Sequence, residues 1–156
     1  MDHSAFMDQA IALSGQAIQT GMGGPFGAVI VQGEQIVAAA HNEVLATHDP
    51  TAHAEVLAIR RASRNLGKHV LDDCVIYTSC EPCPMCLGAI YWSRIKAIYF
   101  ANSRDEAAAI GFDDAFFYEE MMRTMEQRHI PMIRACSAKA KKVFDDYLAM
   151  PSRQIY

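Results

Sequence analysis

Apolar residues recur along this chain with two periods, and the switches between them mark out its elements. Phe6, Ala10, Leu13 and Ala17 form one stripe at helical spacing, so residues 4–20 read as a helix. Gly21-Met22-Gly23-Gly24-Pro25 ends it in a loop. Residues 26–31 and 35–40 are apolar runs on either side of Gly33-Glu34. That predicts two strands joined by a two-residue hairpin turn with glycine first. Asp49-Pro50-Thr51 predicts a helix start, with Asp49 capping and Pro50 in the first turn, where a missing N–H costs nothing. Val56, Ile59 and Leu66 would face the core, and Gly67 would stop this helix. Residues 74–79 and 95–100 read as further strands, on either side of a helix that opens at Glu81-Pro82 and carries Leu87 and Ile90. A short helix over 105–110, a strand over 131–136 and a helix over 138–148 complete the chain.

The order is helix, hairpin, then repeated helix–strand units. It predicts an α/β fold: a single domain over 1–156, with three layers, α/β/α, around a central mixed five-stranded sheet. No repeat, low-complexity tract or linker interrupts it.

Composition narrows the partners. Hydrophobic residues make up 51% and charged residues 21%, which excludes disorder, and no apolar run is long enough to span a bilayer. The net charge is −4, whereas tight polyanion binding relies on clustered Lys and Arg. The basic groupings are Lys139, Lys141 and Lys142, and Arg60, Arg61 and Arg64. Each reads as a solvated helix face, so nucleic acid is disfavoured as a partner. Five cysteines, an odd count, accompany an N-terminus with no basic or apolar signal region. The expectation is reduced thiols in a cytoplasmic setting.

Two short stretches carry the chemistry: His53-Ala54-Glu55, and Pro82-Cys83-Pro84-Met85-Cys86 about thirty residues later. One imidazole and two thiols two apart have the spacing of zinc ligands. Three protein ligands leave a fourth tetrahedral position open, which marks a catalytic zinc, one per chain. Glu55 can sit beside that position and carry protons. On this reading His53, Cys83 and Cys86 lie in the first turns of two helices, whose positive ends favour the thiolates. The bland alternative makes Glu55 a surface residue and His53 a capping or core histidine. Cys80 is either a fourth ligand, closing the site, or a bystander at a strand–helix junction. Cys74 and Cys136 read as small buried apolar residues, and His3, His41, His48, His69 and His129 lack ligand spacing.

The ordered H-x-E…P-C-x-x-C pattern resembles the cytidine-deaminase superfamily, and within it the small bacterial guanine deaminases. The resemblance covers nearly the whole chain. It runs through Gly23-Gly24-Pro25-Phe26-Gly27-Ala28, Asp49-Pro50-Thr51-Ala52-His53-Ala54-Glu55 and Tyr77-Thr78-Ser79-Cys80-Glu81-Pro82-Cys83 onward to Trp92. Relatives acting on cytosine or tRNA adenosine share most of these stretches. Guanine is favoured by Gly111-Phe112-Asp113-Asp114-Ala115-Phe116, by the terminal Tyr156 and by the acidic balance. Lys139 to Lys142 depart from that contrast and keep an RNA substrate open as an alternative.

The resemblance implies a cytidine deaminase-like fold and zinc-dependent hydrolysis of guanine to xanthine and ammonia. Zinc-bound hydroxide would attack C2 and Glu55 would shuttle protons. Asn42 would hydrogen-bond the purine edge, Phe26 and Trp92 would flank the base, and Asp114 would accept from a ring N–H. It also implies a homodimer in which residues of about 138–156 are exchanged, with Tyr156 closing over the partner's site. The rivals are a tRNA adenosine or cytosine-type deaminase, and, from another class, a zinc-stabilised module with no catalysis.

Overall fold

A computed structural model of the protein describes residues 3–135 and 137–156. The chain divides into two compact units, the first ending at Asp114 and the second running from Ala115 to Tyr156.

In the first unit, α1 (His3–Gln19) leads into a hairpin of β1 (Gly27–Gln32) and β2 (Gln35–His41). Then follow α2 (Val44–Thr47), α3 (Ala54–Leu66), β3 (Cys74–Cys80), α4 (Pro84–Trp92), β4 (Ala97–Asn102) and α5 (Arg104–Ala109). The strand order is β2-β1-β3-β4. β1 runs antiparallel to both neighbours, and β3 and β4 are parallel. The sheet is mixed, as expected.

The side chains of β1 alternate between two cores. Ala28 and Ile30 join Ile76 of β3 and Ala54, Ala58 and Ala62 of α3. Val29 and Val31 join Tyr77 and Ala10 of α1, with Phe6, Met7 and Leu13 alongside. Helices therefore cover both faces, and β1 reads as an unbroken apolar run because both of its faces are buried. On the α3 side, Ala54, Ala58 and Ala62 repeat every fourth residue along one helix face and share a cluster with Ala28, Ala38 and Ala40. Methyl-sized contacts let the helix lie close to the sheet.

The sheet has four strands, not five. The expected fifth, over 131–136, is irregular and exposed from Pro131 to Ala135, and Cys136 lies outside the described residues. An apolar run becomes a strand only when its backbone groups find a ladder partner, and Pro131 lacks a donor. Among the described residues β4 is thus an outer edge, and Phe100 on it is exposed.

Two helices begin later than expected. Asp49 caps nothing: its Oδ1 accepts from the Thr51 N–H at 2.8 Å and the Thr51 hydroxyl at 2.7 Å. This local turn competes with a helix start, and α3 begins at Ala54 with His53 as its N-cap. Glu81 still belongs to the sheet edge, its N–H donating to Asn102 O at 2.8 Å. α4 begins at Pro84 with Cys83 as its N-cap. Gly67 does end α3: its φ of +65° turns the chain, and its N–H donates to Arg64 O at 3.3 Å.

The second unit holds α6 (Ala115–Met122), which sequence periodicity does not reveal, a 3₁₀ turn at Met125–Gln127, and α7 (Ser137–Ala149). Glu120 organises its middle, pairing with Arg123 at 2.8 Å and accepting from the His129 N–H at 2.7 Å. On α7, Lys141 pairs with Asp145 at 2.6 Å and Lys142 with Asp146 at 2.7 Å. The tail folds back on α7, the Tyr147 hydroxyl donating to Gln154 O and the Arg153 guanidinium to Leu148 O.

Candidate metal centre and active site

His53 and Cys83 both occupy helix N-cap positions in extended backbone, and neither side chain caps its own helix. Both turn instead toward a common point. Cys83 Sγ lies 3.6 Å and Cys86 Sγ 3.4 Å from His53 Nδ1. The three donor atoms all fall within 4.8 Å of one another. The N-termini of α3 and α4 place their positive ends at this cluster.

The protonation states suit a soft cation. Cys83 is lowered to about 4, first by the hydrogen bond from Cys86 and then, against the opposing effect of burial, by the His53 imidazole. Cys86 is raised, first by its hydrogen-bonding interaction with Cys83 and then by burial. The His53 imidazole is raised by its hydrogen bond with Cys83. Two thiols and one imidazole fit tetrahedral zinc with one position left over.

Cys80 does not join them. Its Sγ points to Ser103 O at 3.7 Å, and burial pushes its thiol up to about 11.

Glu55 follows two residues after His53 and is only 6% exposed. One carboxylate oxygen accepts from Cys86 Sγ at 3.4 Å and the other from Thr78 Oγ1 at 3.3 Å. Burial raises its pKa above the ordinary carboxylate value. Thr78 has one proton, and its shorter contact is to Cys80 O at 3.0 Å. Neutral Glu55 can therefore return a proton toward Thr78, so this threonine orients the carboxyl in either state.

Around this centre, Asn42 is 4% exposed, and its Oδ1 accepts from the Val44 N–H at 3.1 Å, which fixes the amide orientation. A Cβ on Gly23 would lie 2.0 Å from that oxygen, so the amide sits where only glycine leaves room. Phe26 is partly buried against the α3-side core. Asp114 is half-buried and Asp113 exposed. Burial raises Asp114, and the charge of Cys83 raises it further. Trp92 is 70% exposed at the far end of α4, about 13 Å along the helix axis from Cys83 at ~1.5 Å per residue. The fold does not bring it to the cluster. Tyr156 belongs to the second unit and is exposed.

Residues 1–102 match the family described as cytidine and deoxycytidylate deaminase zinc-binding region. The chain belongs to this deaminase family. It is also similar over its full length to the guanine deaminase of Bacillus subtilis, with 46% identity over 156 residues and all of both chains covered. The X-ray structure of guanine deaminase from Bacillus subtilis superposes with a TM-score of 0.96, at 46% identity, covering 100% of this chain and 99% of that one. A tRNA-specific adenosine deaminase from Haemophilus influenzae is 37% identical over 122 residues, which is 77% of this chain and 70% of that protein.

Within the deaminase fold, the residues that sequence reasoning missed are Thr78 and Gly23. Thr78 was visible only as a polar residue inside an apolar strand. A polar side chain there needs a partner, and Glu55 and the Cys80 carbonyl supply it. Gly23 stands in a glycine-rich loop whose tight approach to Asn42 carries no mark in the sequence.

Proposed function

We propose that this protein is a zinc-dependent guanine deaminase, hydrolysing guanine to xanthine and ammonia. The observation that carries the chemistry is the buried Glu55 carboxyl, 3.4 Å from a sulfur of the three-donor cluster. The likeness to a guanine deaminase over all 156 residues supports the substrate.

Zinc held by His53, Cys83 and Cys86 would act as a Lewis acid at its open position and acidify water there. Glu55 takes a proton from the attacking water and gives it to a ring nitrogen, then takes the proton of the hydroxyl left on C2 and gives it to the departing amine. A carboxyl whose pKa is raised by burial holds each proton between its donor and its acceptor. Asn42, its Oδ1 anchored on the Val44 N–H, presents its NH2 to an acceptor on the purine edge. Asp114 accepts from a ring N–H, and Phe26 flanks the base plane. Trp92 lies too far along α4 to do so in its own chain, so its proposed contact with a base requires a dimer.

A tRNA substrate is the second reading, favoured by the Haemophilus influenzae relative. Against it, Lys141 and Lys142 are each paired with an aspartate of their own helix, and Arg61 pairs with Glu43 at 2.6 Å. Ammonia release from guanine, guanosine, adenine, cytosine and tRNA separates the readings. Guanine should be turned over first, and a preference for tRNA would sink the proposal. In the same panel, Asp114→Ala should lose ~1–3 kcal/mol of guanine recognition, about five- to 150-fold, because the ring N–H is left unpaired. Zinc should stay bound, and Asp113→Ala should be silent. The reverse result would move the contact to Asp113.

We also propose a homodimer that exchanges residues of about 138–156, so that Tyr156 closes over the partner's site. Val143, Phe144 and Leu148 on α7, with Ile155 and Tyr156, are exposed, and among the described residues β4 is an outer edge of a kind that proteins normally cover. Deleting Ile155 and Tyr156 should cut guanine turnover sharply with zinc retained, since closure excludes water and completes substrate contacts. A fully active truncation would leave the tail without a task. The setting is proposed as cytoplasmic. Cys74, Cys80, Cys83 and Cys86 are unbridged, and no described helix is long and apolar enough to cross a membrane.

A further inference from the structure

Phe112 lies two residues before Asp114, and its ring meets that of Phe26 edge to face, with centroids 4.9 Å apart and planes at 90°. A Cβ at Gly24 would come within 2.9 Å of both Phe112 Cζ and Phe26 Cε2, so a glycine is what lets the two rings meet. Phe26 is tied in from its other side. Its N–H donates to Gly24 O at 2.8 Å, and its carbonyl accepts from the Asn42 N–H at 2.9 Å. Phe112 is fastened to the end of α5, its N–H donating to Ala107 O at 3.0 Å. Gly111 precedes it at φ +97°, a conformation open to glycine. Yet the Phe112 side chain is 47% exposed, so it fills little of the core. The ring contact joins the segment carrying Asp114 to Phe26 at the entry of β1, whose carbonyl holds the Asn42 N–H just past the end of β2.

We infer that Phe112 is a positioning residue: its edge contact with Phe26 holds the segment of Asp114 on the same frame that holds Asn42. The inference rests on the guanine reading above. Two groups that read one planar base must keep a fixed separation. Asn42 belongs to the rigid sheet side, whereas Asp114 ends a loop, and the Phe26–Phe112 contact is what passes the geometry from one to the other.

The test measures kcat/KM for guanine, zinc content and solution size in four variants: Phe112→Ala, Phe112→Leu, Gly24→Ala, and Phe112→Ala combined with Asp114→Ala. Phe112→Ala should lower kcat/KM by about tenfold or more, in line with losses when a contacting group is misplaced by ~1 Å, with zinc and size unchanged. Phe112→Leu keeps apolar bulk and should recover most of the loss. Gly24→Ala drives the rings apart and should copy Phe112→Ala. In the Asp114→Ala background, removing Phe112 should cost no more than about twofold further, because residues acting through one group are not additive. The same loss in both backgrounds would overturn the inference, as would full activity in Phe112→Ala or loss of zinc from these variants. If the wild-type enzyme fails to turn over guanine, the substrate reading itself has failed, and that result is separate from any variant.

Discussion

Glu55→Gln is expected to remove most turnover while leaving zinc and fold in place. The amide has the shape of the carboxyl and keeps an acceptor for the Thr78 hydroxyl, 3.3 Å away. It cannot take a proton from water or give one to a leaving amine. Loss of a general acid–base group costs ~10²–10⁴-fold, and here a single carboxyl serves successive steps, so the loss should reach the upper end. Stability should not fall, because burial already disfavours the charged form of Glu55. Guanine turnover, metal analysis and a thermal melt of the same preparation check all three points. Near-normal turnover with zinc retained would take Glu55 out of the mechanism.

Cys83→Ala and Cys86→Ala should each release the metal and abolish activity. Two donors remain in either case, too few to hold zinc against competing chelators. The folded chain loses the stabilisation that metal binding supplies, ~4 kcal/mol when the ion is at about a thousand times its dissociation constant. The melting temperature should therefore drop in the zinc-loaded preparation and approach that of chelator-treated wild type. Cys80→Ala should do none of this, since Cys80 turns toward Ser103 O. Zinc loss from Cys80→Ala would mean a closed, four-ligand centre and would remove the open position on which the chemistry depends.

The elements around the site were legible where burial is two-sided or a cap is unambiguous. β1 announces itself because Ala28, Val29, Ile30 and Val31 all face one core or the other. Gly67 ends α3 as its type suggests. The starts of α3 and α4 were misplaced because Asp49-Pro50-Thr51 and Glu81-Pro82 look like helix openings, while their hydrogen bonds serve a turn and a sheet edge. That error shifts His53 and Cys83 from the first turn to the cap without disturbing the ligand set. The fifth strand failed for another reason: residues 131–135 have strand-like composition, but pairing is a property of two segments. Trp92 has a type that suits a planar base, but sequence spacing says nothing of the subunit whose site it would serve, because that depends on the length of α4. Thr78 stands out only as a polar residue inside an apolar strand, and its partner Glu55 lies 23 residues away in sequence.

The alanines under α3 decide where this enzyme can be retargeted. Ala54, Ala58 and Ala62 lie against Ala28, Ala38 and Ala40, and His53 and Glu55 sit at the end of the same helix. A larger side chain in that layer would cost ~1–3 kcal/mol from overpacking, and it would tilt a metal ligand and the proton carrier together. Cutting an alanine of α3 back to glycine weakens the helix by ~1 kcal/mol. The layer that carries His53 and Glu55 therefore offers no graded adjustment in either direction. Retargeting must start from residues off this helix, such as Phe26 and Asp114, whose replacement leaves the metal ligand and the proton carrier in place.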